Sequence, residues 1–426
     1  MSMHQRLVSD AVANLRQNDR GGYTVPTKDL YPFQWNWDSC LTAIGQRHVD
    51  EARAWQEIET LLDNQWPDGM VPHIVFHEEN DNYFPGPDVW QTGRPTPTSG
   101  ITQPPVLAYA MRRLFDEAKE TDKVTAKALE LLPKAAAWHR WFYRCRDPED
   151  TGLIALLHPW ESGRDNSIDW DQALAAVPTE GVLPYVRRDI LHVDASERPT
   201  SLEYDRYLWL LQHFRSLDWD NEKLHDASPF QVVDPGFNAI LIRADQDLAF
   251  LAERLGRNEL AEEATARSQK ATQALECLWH EGLGQYACFD RAAGHLVDSA
   301  SVGGLLPVFA QASRSDILAK RVDRLLDRQP FGVASHDPDD PRFDGKRYWR
   351  GPSWLIINSL LTDGLCRSGH EAVARRVTEA SLRLIQESGF AEYYDPRSGA
   401  PHGGRHFTWT AAVALDFLTQ ASAGQA

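Results

Sequence analysis

The chain has 426 residues, of which 42% are apolar and 25% charged, and its formal net charge is −17 at pH 7. That composition fills a large core, while the acidic balance excludes the clustered Lys and Arg of a nucleic-acid binder and disfavours an anionic membrane surface. No run of about 18 successive apolar residues occurs, so no segment reads as membrane-spanning, and the opening MSMHQRLVSDAVANLRQNDRGG lacks the apolar stretch of a signal peptide.

Apolar residues at i, i+3, i+4 and i+7 predict helices over 7–17, 38–46, 50–63, 104–118, 124–142, 201–214, 237–255, 258–279, 301–311, 315–327, 352–365, 370–386 and 406–420. No stretch reads as a run of alternating β-strands. The segments are of two kinds. Amphipathic ones (50–63, 258–279, 370–386) alternate with uniformly apolar ones (301–311, 352–365, 406–420), as expected of outer helices with one wet face and inner helices with none. Twelve such helices make six outer–inner pairs, so the predicted fold class is all-α, an (α/α)6 barrel or toroid. The thirteenth, 201–214, falls in an insertion between about 146 and 236. Residues 68–100 form a second long excursion, rich in Pro, Gly and aromatics, a composition that argues for function rather than disorder. With no linker or low-complexity tract, 1–426 reads as one catalytic domain whose two insertions cover its active site.

Five scattered cysteines (Cys40, Cys145, Cys277, Cys288, Cys366) form no CxxC pair, which fits reduced thiols in a cytoplasm better than disulfides or zinc. Nucleotide, metalloprotease and Ser-hydrolase motifs are absent. The acidic run DPDDPRFDG at 337–345 lacks EF-hand spacing, because Pro341 stands where a ligand is needed. No cofactor or metal is expected, and a homo-oligomer is left open.

The fifteen tryptophans offer flat apolar faces on which sugar rings stack, although Trp55, Trp138, Trp141 and Trp279 lie in helical patterns and read as core. Four clusters set carboxylates among aromatics. YPFQWNWDS places Asp38 ahead of an apolar helix, either as a cap or as a partner for sugar hydroxyls. HPWESGRDNSIDW carries Glu161, Asp165 and Asp169 between Trp160 and Trp170, and spacing cannot choose between Glu161 and Asp165 as a proton donor. YWRGPSW offers Arg350 either to a substrate or to a catalytic carboxylate. GFAEYYDP beds Glu392 among apolar and aromatic neighbours, an odd place for a carboxylate without a task. Two separated carboxylates set among aromatics are what glycoside hydrolysis needs: one protonates the leaving oxygen, the other activates water.

These segments, with QWPDGMVPHIVF between the first two, resemble glycoside hydrolase family 63 and more distantly the trehalases, and in this order they span nearly the whole chain. The resemblance implies an (α/α)6 barrel and hydrolysis of an α-glycoside with inversion. It makes Asp165, in ESGRD, the general acid and Glu392, in FAEYY, the general base. It places Trp37, Asp38, Gln103, Gly163 and Trp354 around the −1 sugar. It is closest to short bacterial members acting on glucosylglycerate or mannosylglycerate, and there implies a glycerate site from Tyr31, Tyr83, Arg198, Tyr204, Tyr348 and Trp349. Without the resemblance Arg198 reads as an exposed loop residue. ESGRD departs from the trehalase motif by carrying Arg164, which is expected to add positive charge near the acid. The expected partner is a small carbohydrate. Alternatives are a neutral disaccharidase (kojibiose, nigerose or trehalose type), a sugar-binding protein without catalysis, or a sugar isomerase using His336 and His406.

Overall fold

The computed structural model describes residues 2–423; residue 1 and residues 424–426, at the ends of the expected 1–426 domain, lie outside the described residues. Its helices, in chain order, are α1 (Met3–Asn18), α2 (Asn36–Gln46), α3 (Glu51–Leu62), α4 (Pro87–Trp90), α5 (Leu107–Asp116), α6 (Thr121–Arg146), α7 (Asp171–Ala175) and α8 (Ser201–Ser216). They continue with α9 (Asn221–Ala227), α10 (Pro235–Arg254), α11 (Asn258–Leu275), α12 (Ser315–Arg328), α13 (Leu355–Arg367), α14 (Glu371–Ser388) and α15 (Thr408–Ala423).

Sequence pattern decides which helices lie inside. In α12 the buried residues Leu318, Ala319, Val322, Leu325 and Leu326 form one stripe, and α14 buries Ala374, Val377, Ser381, Leu384 and Ile385 in the same way. By contrast α2 buries every residue from Asn36 to Gly45. The inner ring runs α2, α5, α10, the 3-10 run Leu306–Ala310, α13 and α15, with each element packed on the next and α15 closing on α2. The outer layer is α1, α3, α6, α11, α12 and α14, giving six pairs and an (α/α)6 barrel. Burial of a Leu, Ile or Phe in such a wall stabilises by about 1.5–3 kcal/mol relative to exposure. The ring is also pinned where it closes: the Asn18 side-chain amide, at the end of α1, donates to the His406 carbonyl and to Thr408 at the start of α15 (2.7 and 2.8 Å).

Two predicted helices differ. The 301–311 segment is two short 3-10 runs, Val302–Gly304 and Leu306–Ala310. Pro307 lacks the N–H that a continuous helix would bond to Gly303, so the inner strut here is tight and broken. The 258–279 helix stops at Leu275, and Trp279 starts a two-residue strand paired with Gln285–Tyr286 instead of filling a helix face. Small strands also appear where none was expected. The one that matters is the antiparallel hairpin Ala391–Tyr394/Pro401–Arg405, whose register shifts between Ala391 and Tyr393.

The two excursions hold α4 and α7–α9, with α8 the thirteenth predicted helix. They meet each other: Trp219 Nε1 donates to the Trp90 carbonyl (3.1 Å), Tyr204 hydroxyl donates to the Phe84 carbonyl (3.0 Å), and Phe84 stacks on Tyr185 (5.5 Å, 5°). Among the described residues no helix is long and apolar enough to cross a membrane.

Candidate active site

A cavity opens where the inner helices begin. Trp37 and Asp38 lie in the first turn of α2, Gln103 just before α5, and Phe407 and Trp409 at the start of α15. Gly163 and Asp165 come from the loop before α7, and Asp189, Arg198 and Tyr204 from the second excursion. Tyr83 and Phe84 come from the first, and Glu392 from the hairpin.

The Asp165 loop is built around Gly163. Its φ is +67°, and a Cβ there would lie 2.7 Å from the Trp37 indole, so both the left-handed backbone and the tryptophan need glycine. Tyr207 hydroxyl holds the Asp165 carbonyl (2.9 Å), and Trp170 Nε1 holds the Arg164 carbonyl (2.8 Å). Arg164 itself turns away from the cavity and is buried, bonding Asp169 (2.8 Å) and Asp234 (3.0 Å). The expectation of added positive charge beside the acid is therefore corrected: two carboxylates neutralise this guanidinium, which ties the loop to the start of α10. Arg350 is corrected likewise, since its fork grips Asp171 (2.7 and 2.8 Å) and not the catalytic candidates or the cavity.

Glu392 sits at the register shift of the hairpin, where a bulge re-aims a side chain. It is fully buried and accepts bonds from Tyr348 hydroxyl (3.0 Å), Tyr31 hydroxyl (3.2 Å) and the Gly404 N–H (2.9 Å). Gly403 opposite it has φ +66°, and a Cβ there would meet the carboxylate at 2.3 Å. Burial pushes the Glu392 carboxyl above its ordinary value, while the Arg198 guanidinium and these donors pull it back. Asp165 has fewer such donors. Burial pushes it up to about 7 and the Glu392 charge adds to that, against the pull of Arg198 and a backbone N–H. Asp38 is held well above the usual range by burial and by the charges of Glu392 and Asp165.

Of the remaining expected residues, Tyr31, Trp37, Asp38, Tyr83, Gln103, Gly163, Arg198, Tyr204 and Tyr348 line the cavity together with both carboxylates. Gln103 accepts from the Trp37 backbone N–H (3.2 Å). Trp349 and Trp354 stand behind the wall, stacked face to face at 3.8 Å and 3° beside Tyr348 and Trp37. Trp349 has φ +59°, a costly conformation for a bulky residue and one of the strained positions that gather at functional sites. Asp189, His73, Trp35, Trp160 and Phe407 also line the cavity. His73 carries a buried Nδ1 with no partner, and burial lowers its pKa to about 3, which keeps it neutral. Asp189 gave no signal in sequence, because nothing in VRRDIL marks it off from a solvated loop. Neither His336 nor His406 lines the cavity: His336 is buried beside Asp340 and His406 is exposed.

Comparison with known proteins agrees with this architecture. The profile of the mannosylglycerate hydrolase MGH1-like glycoside hydrolase domain matches residues 31–410. Mannosylglycerate hydrolase MGH1 of Selaginella moellendorffii is 48% identical over 95% of this chain and 84% of its own. Glucosylglycerate hydrolase of Mycolicibacterium hassiacum is 36% identical over 97% of this chain and 98% of its own. The crystal structure of the family 63 mannosylglycerate hydrolase of Thermus thermophilus, in complex with Tris and D-glycerate, superposes with a TM-score of 0.93 at 46% identity. That match covers 96% of this chain and 99% of the other. A family profile across most of the chain and relatives of this identity leave one conclusion: the chain belongs to the MGH1-like glycoside hydrolases of family 63, and is a glycoside hydrolase.

Proposed function

We propose that the protein hydrolyses 2-O-α-glucosylglycerate, 2-O-α-mannosylglycerate or both, with inversion at the anomeric carbon, releasing the sugar and D-glycerate. The observation that carries this reading is Arg198. Its side chain is 7% exposed, Nε and Nη2 are bonded to Asp189 (3.1 Å) and Tyr31 (2.7 Å), and Nη1 is buried without a hydrogen-bond partner, 4.0 Å from the Glu392 carboxylate. A buried guanidinium N–H that makes no hydrogen bond, in the wall of a sugar-sized cavity, suits a carboxylate on the aglycone. It also meets what an acidic protein needs in order to bind an acidic ligand, and it matches the substrates named for the relatives at 36–48% identity. No observation of this kind favours a neutral disaccharide.

In this reading the carboxylates work in one displacement. Asp165, held protonated near neutral pH, gives its proton to the glycosidic oxygen. Glu392, kept ionised by Arg198 and three hydrogen-bond donors, takes a proton from water attacking the opposite face. Asp38 and Gln103 bond sugar hydroxyls, and Trp37 supplies an apolar face. Trp349 and Trp354 set the wall, while Tyr31, Tyr83, Tyr204 and Tyr348 complete the glycerate site. The 68–100 and 146–236 excursions are the cover of a single catalytic domain. Its cysteines are all unpaired, which supports a cytoplasmic enzyme. The mechanism needs no cofactor.

The test is a proton NMR time course with each glycosylglycerate. The β-anomer of the sugar is expected before mutarotation. Initial α-anomer would mean retention and remove Glu392 from its role; no turnover of either glycoside would defeat the substrate assignment.

A further inference from the structure

We infer that Asp189 is a positioning residue for aglycone recognition: it orients Arg198 so that one guanidinium nitrogen, Nη1, faces the substrate carboxylate. The inference rests on the reading of Arg198 given above and goes beyond it in naming what holds Arg198.

The geometry is a three-residue clamp on the 187–198 stretch. Arg187 grips both oxygens of Asp189, with Nε 3.0 Å from Oδ1 and Nη2 2.6 Å from Oδ2. Its Nη1 donates to the Pro199 carbonyl (2.6 Å), and its plane lies 4.5 Å from the Tyr204 ring centroid. Each nitrogen of Arg187 is thus engaged, and its side chain does not line the cavity. Arg198 donates Nε to the same Oδ2 (3.1 Å), lies over the Tyr348 ring (4.2 Å), and leaves Nη1 without a hydrogen bond, 4.0 Å from Glu392 Oε1.

Two guanidiniums share the Asp189 carboxylate, and the second carboxylate near Arg198 is Glu392, 4.0 Å from Nη1, so Asp189 fixes Nε while Nη1 stays on the cavity side. Asp189 itself lines the cavity. Burial alone would push its carboxyl up, but Arg187 and Arg198 outweigh that and hold it below the usual range, so the clamp stays ionised. Without the Asp189 charge, Arg198 loses its anchor at Nε and keeps the Tyr31 bond, the Tyr348 ring and the Glu392 carboxylate 4.0 Å from Nη1, while Arg187 is left beside it without a carboxylate. The guanidinium is then drawn towards Glu392, and the orientation that the aglycone carboxylate needs is lost.

The experiment is a double-mutant cycle in the full-length chain with Asp189→Asn and Arg198→Ala. It measures kcat/KM on the glycosylglycerate relative to the corresponding α-glycosyl fluoride, whose leaving group carries no carboxylate. Asp189→Asn is expected to lower that ratio ten- to hundredfold, the range for losing one charge-assisted bond, chiefly through KM. In the Arg198→Ala background it is expected to lower the ratio no further. Asp189→Glu, which keeps the charge on a longer arm, is expected to recover part of the ratio, and circular dichroism and the melting temperature check each variant's fold.

An equal loss on both substrates would show a structural role and overturn the inference. A full Asp189→Asn effect that persists without Arg198 would overturn it as well. If Arg198→Ala leaves the ratio unchanged, the glycerate reading falls and the inference falls with it; if Arg198→Ala lowers the ratio but Asp189→Asn does not, only the inference falls.

Discussion

Asp165→Asn and Glu392→Gln are each expected to remove about 10²–10⁴-fold of kcat on the natural glycoside, the range a general acid or base supplies, but to part on an activated substrate. With an α-glycosyl fluoride the leaving group needs little protonation, so Asp165→Asn recovers most of its loss. Glu392→Gln recovers none, because water must still be deprotonated. Steady-state assays of both variants on both substrates check this. A reversed pattern would exchange the roles, and near-normal turnover of the natural glycoside by either variant would end the assignment. The pH profile carries the same asymmetry. In the proposed mechanism Asp165 acts in its protonated form, so activity is expected to fall as pH rises through about 7. Glu392 acts ionised in that mechanism, so activity is expected to fall as acid protonates it, at a pH that burial raises above the ordinary glutamate value. The two groups influence each other, so a kcat/KM profile is expected to give a bell whose limbs belong to the pair. Asp165→Asn flattens the alkaline limb.

The carboxylate clusters of this cavity were legible in the residues themselves, while most of its other lining was named only through the family resemblance. The barrel was readable because helix burial is periodic: a stripe in α12 or α14 and full burial in α2 are written directly in the sequence. The 301–311 strut was misread because its apolar content is helical while Pro307 and the Gly303–Gly304 pair forbid a regular helix. Asp165 and Glu392 stood out as carboxylates among aromatics, yet the reason Glu392 faces the cavity, a bulge opposite Gly403, depends on a strand pairing that propensity does not show. Arg164 and Arg350 show the complementary failure. A charged residue inside a functional motif invites a functional role, but both are consumed by aspartates distant in sequence, Asp234 and Asp171. Arg198 ran the other way. Its loop context looked solvent-exposed, and only the packing of Tyr31, Tyr348 and Asp189 around it makes it a buried cation.

The choice between Glu161 and Asp165, which spacing leaves open, yields the second large effect, on stability rather than on rate. Glu161 is 1% exposed, as is its partner Arg146. One oxygen accepts from Arg146 Nη2 (2.8 Å) and the other from the Leu157 N–H (2.9 Å), so neither is free to meet a substrate. Arg146 lies over the Trp141 ring (4.5 Å) at the end of α6, and its other bonds go to the Cys145 carbonyl and the Asn221 side chain, neither of them charged. Glu161→Gln therefore leaves a buried guanidinium uncompensated, a situation that costs about 3–5 kcal/mol. Chemical denaturation of the variant is expected to show that loss, with kcat of the folded enzyme within a few-fold of normal, because the pair sets the start of the Asp165 loop without entering the cavity. The reverse result, full stability with turnover abolished, would mean that Glu161 supplies the proton and that Asp165, for all its burial and raised pKa, is the structural carboxylate of the two.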